Sequence, residues 1–471
     1  MSNARRNGVH DLVVRNGRVF VPGGSLQIAN VAVDDGLVTS ITSETEDATT
    51  VIDAAGMLVL PGAIDAHTHL NSVWPFPDER RPADDFGSGT RSAAAGGVTA
   101  VCDFVYPLPG ESLRQAIDRV VADASAKSHI DFGLHVVITT LENGFVDELP
   151  SVVADGYPSF KFYTQLPDFV ARGSEYVRLL STLAELGVVA MFHCEDAAII
   201  DYCRHKLIDA GRMTPRHYPD SKPAEVEVAA TALALNYSSV AGIPAYLVHL
   251  SAAGALAEAR LARRRGQKVF VETRPLYLYL TKERFSDDDA IAARYVGTPP
   301  LRDHDDKDEL WAGLASGEVD VVASDHVGFT LAQKHQPGDT FENVPKGVAN
   351  LETIAPMLYS EGVVAGRITL DRFVKLVAEN PAKIFGLYPR KGAIAPGSDA
   401  DLMILDPSDH RLLTATKMHS ASDFELFEGM TVKGWPAYTI SRGEVIYDGK
   451  DVLSKPGRGL LVKGTKPVLE L

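Results

Sequence analysis

Apolar and polar positions alternate in short runs over residues 11–60, as in LVVRNGRVF, IANVAVDDGLVTSI and VIDAAGMLVL, with NG, GG and DG pairs between them. Period-two alternation broken by turn residues predicts a small all-β unit. From residue 62 the texture changes to short, nearly continuous apolar runs separated by longer helical patterns, as in βα repeats around a parallel sheet. Eight such runs occur: GAIDAHTH (62–69), VTAVCDF (98–104), DFGLHVVIT (131–139), SFKFY (159–163), GVVAMFH (187–193), AYLVHL (245–250), KVFVET (268–273) and VDVVASD (319–325). They predict an α/β fold, a (β/α)8 TIM-like barrel.

Between the fifth and sixth runs lies an insert with two helical patterns split by GRMTPRHYPDSKP; Ser221 is expected to cap the second helix, with Pro223 in its first turn. Residues 328–350 form a Gly-, Pro- and polar-rich stretch long enough to cover an active site. After the helical TLDRFVKLVAENPAKIFGL, strand texture returns in KGAIAPGSDADLMILDP and AYTISRGEVIYDGK. The expected organisation is a barrel of residues 61–387, with a small β-sandwich built from residues 1–60 and 388–471.

Composition narrows the partners without naming an activity. The 471 residues are 45% apolar and carry a formal net charge of -16, which disfavours nucleic acid or an anionic membrane as the main partner. Three cysteines, Cys102, Cys194 and Cys203, are too few for a disulfide framework and lack paired CxxC spacing. With no secretory apolar segment and no apolar run long enough to span a bilayer, a cytoplasmic protein is expected.

Catalytic groups of a parallel barrel project from the C-terminal ends of its strands. The first run ends in His67-Thr68-His69, and alternation puts both histidines on one side of the strand. The fourth run carries Lys161, the fifth ends at His193, the sixth has His249 near its end, and the eighth ends at Asp325. One such histidine is ordinarily a half-buried packing residue. Four histidines and an aspartate, all at strand ends that share one mouth, point to a metal site. Lys161 is either a barrel-interior ammonium paired with a carboxylate or, after addition of carbon dioxide, a carbamate that bridges two ions. Two divalent ions would lower the pKa of bound water toward about 7 and polarise a carbonyl, so amide hydrolysis is the expected reaction class.

The segments PGAIDAHTHL, SFKFY, FHCED, LVHLSAAGALAEA, ASDH and NPAKIFGLYPRKGAIAPGSDADLMILD resemble the cyclic amidohydrolases, the hydantoinase, dihydropyrimidinase, allantoinase and dihydroorotase group, over about residues 10–450. The resemblance implies a centre of two divalent ions, usually zinc. His67 and His69 would hold the more buried ion, His193 and His249 the more exposed one, N6-carboxylated Lys161 would bridge, and Asp325 would ligate the buried ion. It also implies that Asp325 takes the proton of the bridging hydroxide and delivers it to the leaving nitrogen, and that the protein is a homotetramer.

Departures from the group's patterns order the candidate substrates. Asn71 stands where dihydroorotases place a carboxylate-binding arginine, and NSVWPFPDERRPADDFGSGT replaces the allantoinase acidic-Pro-Gly-Arg run. Leu166 stands where many dihydropyrimidinases and D-selective hydantoinases carry an oxyanion-binding tyrosine; Tyr163 is nearby at another offset, and the departure resembles L-selective or atypical hydantoinases. Thr298 and Asn343 match positions whose backbone holds the ring's amide edge, and Trp74, Phe76 and Leu166 could wall a ring substituent. Asp103, Glu195, Glu272 and His326 could orient the ligating histidines. The sequence thus predicts hydrolysis of a small hydantoin- or dihydropyrimidine-type ring to an N-carbamoyl amino acid. Alternatives are an allantoinase or cyclic imide hydrolase, or a catalytically inactive scaffold of the same fold.

Overall fold

In the computed structural model, which describes residues 9–71, 80–141, 144–285 and 288–471, each apolar run from residue 62 onward contributes one strand to a parallel sheet. The strands are Ala63–Thr68, Val98–Val105, Asp131–Val137, Ser159–Tyr163, Val189–His193, Ala245–Leu247, Val269–Thr273 and Val321–Val322, and they neighbour one another in chain order. The first and last meet through a parallel bridge between Thr68 and His326 and a hydrogen bond from His69 N–H to the His326 carbonyl (3.0 Å). Asp65 closes the same junction by accepting from the Ser324 backbone N–H (3.0 Å) and from the Ser324 hydroxyl. The barrel expected from the sequence is the fold observed.

The sixth and eighth strands stop short of the runs that predict them. His249 and Asp325 leave extended geometry, with φ of +39° and +49°. A non-glycine residue held there costs roughly 1–2 kcal/mol, a conformation that clusters at functional sites.

Inside the barrel, Ile64, Ala66, Cys102, Phe104, Met191, Tyr246 and Phe270 form one buried cluster, while the outer faces of the strands pack on the surrounding helices. The helices start where sequence chemistry allows: Asp85 caps Phe86–Ala95 and Ser112 caps Leu113–Lys127, each in a reciprocal capping box. The insert contains the two expected helices, Ala197–Asp209 and Ala224–Ala241. Ser221 does not cap the second. Its hydroxyl donates to the Tyr218 carbonyl (2.7 Å) inside the short helix Tyr218–Ser221, and Lys222, extended before Pro223, separates the two helices.

Both chain ends build a second, mixed sheet in the order Glu444–Tyr447, Thr431–Ser441, Leu402–Leu412, Leu58–Pro61, His10–Val21, Ser25–Asp34, Leu37–Thr42, with Ala48–Asp53 also paired to His10–Val21. Leu12, Val14, Val31, Val33, Leu402, Ile404 and Ile440 give it a core separate from the barrel's. The last residues run back across the barrel's N-terminal end: Val462 N–H donates to the Phe132 carbonyl (2.8 Å) and Gly464 N–H to the Gly156 carbonyl (2.9 Å).

Candidate active site

A cavity of about 890 Å³ opens at the C-terminal ends of the barrel strands. His67, His69, Lys161, His193, His249 and Asp325 all line it, although they come from five strand ends spread over more than 250 residues of chain. All six are buried.

The six fall into two sets. Asp325 Oδ1 lies 3.1 Å from His67 Nε2 and 3.1 Å from His69 Nε2, so three donor atoms converge on one point. His193 Nδ1 lies 2.8 Å from His249 Nε2, and the far nitrogen of His249, Nδ1, is buried with no hydrogen-bond partner among the described residues. Lys161 Nζ sits between the Phe104 and Tyr163 rings, 5.1 and 5.3 Å from their centroids.

Carboxylates behind the histidines fix which nitrogen faces the cavity. Glu272 Oε1 is 2.8 Å from His67 Nδ1 and also accepts the His249 backbone N–H (2.8 Å), while Tyr246 donates to its other oxygen (2.8 Å). Glu195 Oε2 is 2.9 Å from His193 Nε2 and is held by Lys222 Nζ (2.6 Å) and the Thr298 hydroxyl (2.9 Å). Asp103 and His326 act at one remove. Asp103 accepts from the Leu70 backbone (2.6 Å) and the Thr68 hydroxyl (3.0 Å), flanking His69; His326 pairs with Asp84 (2.9 Å).

Electrostatics sharpen the set. Burial holds His69 down to about 4 and lowers His193 and His249, which keeps these imidazoles neutral with a lone pair to offer. At His67 burial also works downward, but the Glu272 and Asp325 carboxylates outweigh it. Asp325 is held ionised against burial by the Arg274 guanidinium, whose Nη1 lies 3.0 Å from Oδ2, and by His67. Burial pushes the Lys161 amine down to about 8. Neutral imidazoles whose nitrogens face one another, and an ionised carboxylate against two more, suit a divalent cation, so the donor chemistry fits a metal.

The remaining expectations divide. Thr298 lines the cavity with its hydroxyl already engaged by Glu195 and Lys222 (2.5 Å), so a bound ring would meet its main chain. Asn343 also lines it, but its Oδ1 accepts the Thr340 backbone N–H (2.7 Å) in a local turn. Leu166 does not border the cavity. The turn closed by Leu166 N–H on the Tyr163 carbonyl (3.2 Å) sends it onto the apolar cluster inside the barrel and puts Gln165 at the wall instead. Tyr163 does border it, paired with Tyr106. Trp74 and Phe76 lie outside the described residues. The 328–350 stretch supplies Phe329, Gln336, Asp339 and Lys346 to the wall.

Sequence reasoning passed over Tyr106, Lys222 and Arg274. Arg274 and Tyr106 directly follow their strands, so the strand-end test that selected the histidines also applies to them; nothing local marks Lys222.

A (β/α)8 barrel with buried imidazoles and one aspartate at its mouth defines the class of metal-dependent hydrolases. The Amidohydrolase family model matches residues 58–446. A D-hydantoinase of Geobacillus stearothermophilus is 37% identical over 458 residues, 96% of each chain, and a D-hydantoinase of Ralstonia pickettii is 36% identical over 97% of this chain and 99% of that one. The crystal structure of a dihydropyrimidinase from Brevibacillus agri superposes with a TM-score of 0.92 at 34% identity, covering 97% of this chain and 99% of that one. This chain belongs to the amidohydrolase family, in its hydantoinase and dihydropyrimidinase branch, and its site is a divalent metal centre.

Proposed function

We propose that the protein opens a hydantoin- or dihydropyrimidine-type ring by hydrolysing a ring amide, releasing an N-carbamoyl amino acid. The observation that carries this reading is the convergence of His67, His69, Lys161, His193, His249 and Asp325 on one cavity. His67, His69 and Asp325 would hold one ion and His193 and His249 a second, with Lys161 between them as a carbamate; we take the ions to be zinc. When bound, such ions polarise an amide carbonyl and bring the pKa of a water toward about 7.

The chain's own residues supply the rest. Asp325 accepts the proton of the attacking water and returns it to the leaving ring nitrogen. Arg274 keeps it oriented for this by engaging Oδ2 while Oδ1 faces the histidines. Glu272 and Glu195 keep His67 and His193 in one tautomer. Burial favours the uncharged Lys161 amine, the form that adds carbon dioxide. Thr298 and Asn343 flank the space for the ring's amide edge, and the 328–350 stretch limits water.

The test is metal analysis and intact mass under bicarbonate, followed by one ring-opening assay on hydantoin, both enantiomers of 5-substituted hydantoins, dihydrouracil, allantoin, dihydroorotate and succinimide. Bound divalent metal, a carbon dioxide adduct and preference for a hydantoin or dihydrouracil are expected. A metal-free, adduct-free protein that opens none of them would sink the proposal. We further propose a homotetramer, to be read by sedimentation.

A further inference from the structure

We propose that the insert between the fifth and sixth barrel strands builds the second ion site, with Lys222 and Glu227 as positioning residues for His193 and His249. This rests on the two-ion reading of the site given above. Lys222 and Glu227 straddle the start of the helix Ala224–Ala241 and reach the two histidines by separate routes. Glu227 is buried, and the Lys222 side chain is 12% exposed.

The first route runs through Glu195. Lys222 Nζ donates to Glu195 Oε2 (2.6 Å) and to the Thr298 hydroxyl (2.5 Å), and the Thr298 hydroxyl donates to the same carboxylate oxygen (2.9 Å). That oxygen lies 2.9 Å from His193 Nε2. The backbone reinforces the route, since Asp196 N–H, next to Glu195, donates to the Val226 carbonyl in the first turn of the helix (3.0 Å). The second route runs through Ser251. Glu227 accepts the Ser251 backbone N–H on Oε1 (2.7 Å) and the Ser251 hydroxyl on Oε2, which fixes the chain two residues past His249. Arg302 joins the routes: its Nη1 donates to the Lys222 carbonyl (2.6 Å), its Nε donates to the Ser251 hydroxyl (3.0 Å), and its Nη2 lies 3.2 Å from Glu227 Oε2.

A ligating imidazole keeps its orientation through the partner of its other nitrogen or through the backbone that carries it. For His193 that partner is Glu195, whose place Lys222 sets. For His249, held at φ of +39°, the anchor is the chain just beyond it, which Glu227 grips. The contacts described for His67 and Asp325 come from the barrel instead: Glu272, on the strand Val269–Thr273, faces His67, and Arg274, which follows that strand, faces Asp325. Glu272 also accepts the His249 backbone N–H, so it supports both sets and does not set them apart. The insert does, because both of its routes end at the second pair. A chain weakened at Lys222 or Glu227 should therefore keep one ion and release the other.

The test is titration of the chelated full chain with Co2+ in dilute bicarbonate, read by visible absorption and by equilibrium dialysis with metal analysis, neither of which needs turnover. The wild type should take up two ions per chain. Lys222→Met should bind the first ion as the wild type does and the second about 10–100-fold more weakly. The paired variant Glu227→Gln/Arg302→Met removes both charges of a buried pair together, so neither is left uncompensated, and it should show the same selective loss. Should Lys222→Met fail to fold, as read by circular dichroism, the paired variant decides. Equal weakening of both ions in a folded variant, or two ions held as tightly as in the wild type, would overturn the inference. Failure of the two-ion reading is distinguishable, since the wild type would then bind fewer than two ions per chain whatever the variants do.

Discussion

At the scale of single residues, position along a strand carried most of the information. His135 shows why: it lies within a barrel strand rather than at its end, and both its nitrogens are consumed, by Ser159 (2.6 Å) and the Ala66 carbonyl (3.0 Å). His193 and His249, at or just beyond strand ends, instead face each other at the mouth. What the sequence does not carry is pairing across strands, so the tie between Tyr106 and His69 and that between Arg274 and Asp325 emerge only in three dimensions. Lys161→Ala should abolish ring opening, and partial rescue by short carboxylic acids would support the carbamate; full activity in the variant would refute its role. A second residue gives a pH signature away from the site. Burial pushes the Glu425 carboxyl up from 4.5 to about 7. A raised carboxyl pKa means the folded state binds the proton more tightly, so this group penalises folding above about pH 7 and not below about pH 4.5. Glu425→Gln should therefore raise stability by about 1–3 kcal/mol at pH 8 and leave it nearly unchanged at pH 4.5, measured by urea unfolding.

Among elements, strand and helix texture was legible because apolar runs with two-residue or helical spacing are local properties. Boundaries were less so where a ligand position overrides propensity, as at Val321–Val322, or where a proline resets the chain, as at Lys222-Pro223. The joint between the two sheets was not legible at all. Lys391 is buried among Asp131 at the start of the third barrel strand (2.8 Å), Asp399 (3.0 Å) and Asp401, which precedes the strand Leu402–Leu412 (2.5 Å). Arg442, just beyond Thr431–Ser441, adds a contact to Asp131 (3.2 Å). Three carboxylates and one ammonium separated by up to 270 residues thus fasten the barrel to the second sheet. Three carboxylates so close could suggest a cation site, but the ammonium already occupies the space between them. Lys391→Met should cost about 3–5 kcal/mol in a urea titration, because it removes the ammonium that all three buried carboxylates share, leaving Asp131 to Arg442 and Asp399 to Arg390. A loss below about 1 kcal/mol would show that Arg442 and Arg390 together suffice.

For the whole molecule, the net charge of -16 describes a surface rather than a site, since the cavity wall includes Arg80, Lys222, Arg274 and Lys346. No helix among the described residues is long and apolar enough to cross a membrane. The junction between the first and last barrel strands has a further consequence. Among the described residues it is held by the bridge between Thr68 and His326 with its His69 N–H bond, by Asp65 on Ser324 and by the Ser324 hydroxyl on the His67 carbonyl (3.3 Å), and the proposed ligands His67, His69 and Asp325 lie on either side of it. An ion bound there would act as a rivet across the seam of a cylinder, and completing the cylinder and completing the site would be one event. Anything that binds only the closed form stabilises it by mass action. Chelation should therefore speed amide hydrogen exchange at residues 67–70 and 323–327 by orders of magnitude while leaving Val98–Val105, on the second strand, nearly unaffected. Equal exchange at the seam with and without metal would show that the cylinder stays shut by its own contacts. A nascent chain ending before Val321 has seven of its eight staves and no working mouth.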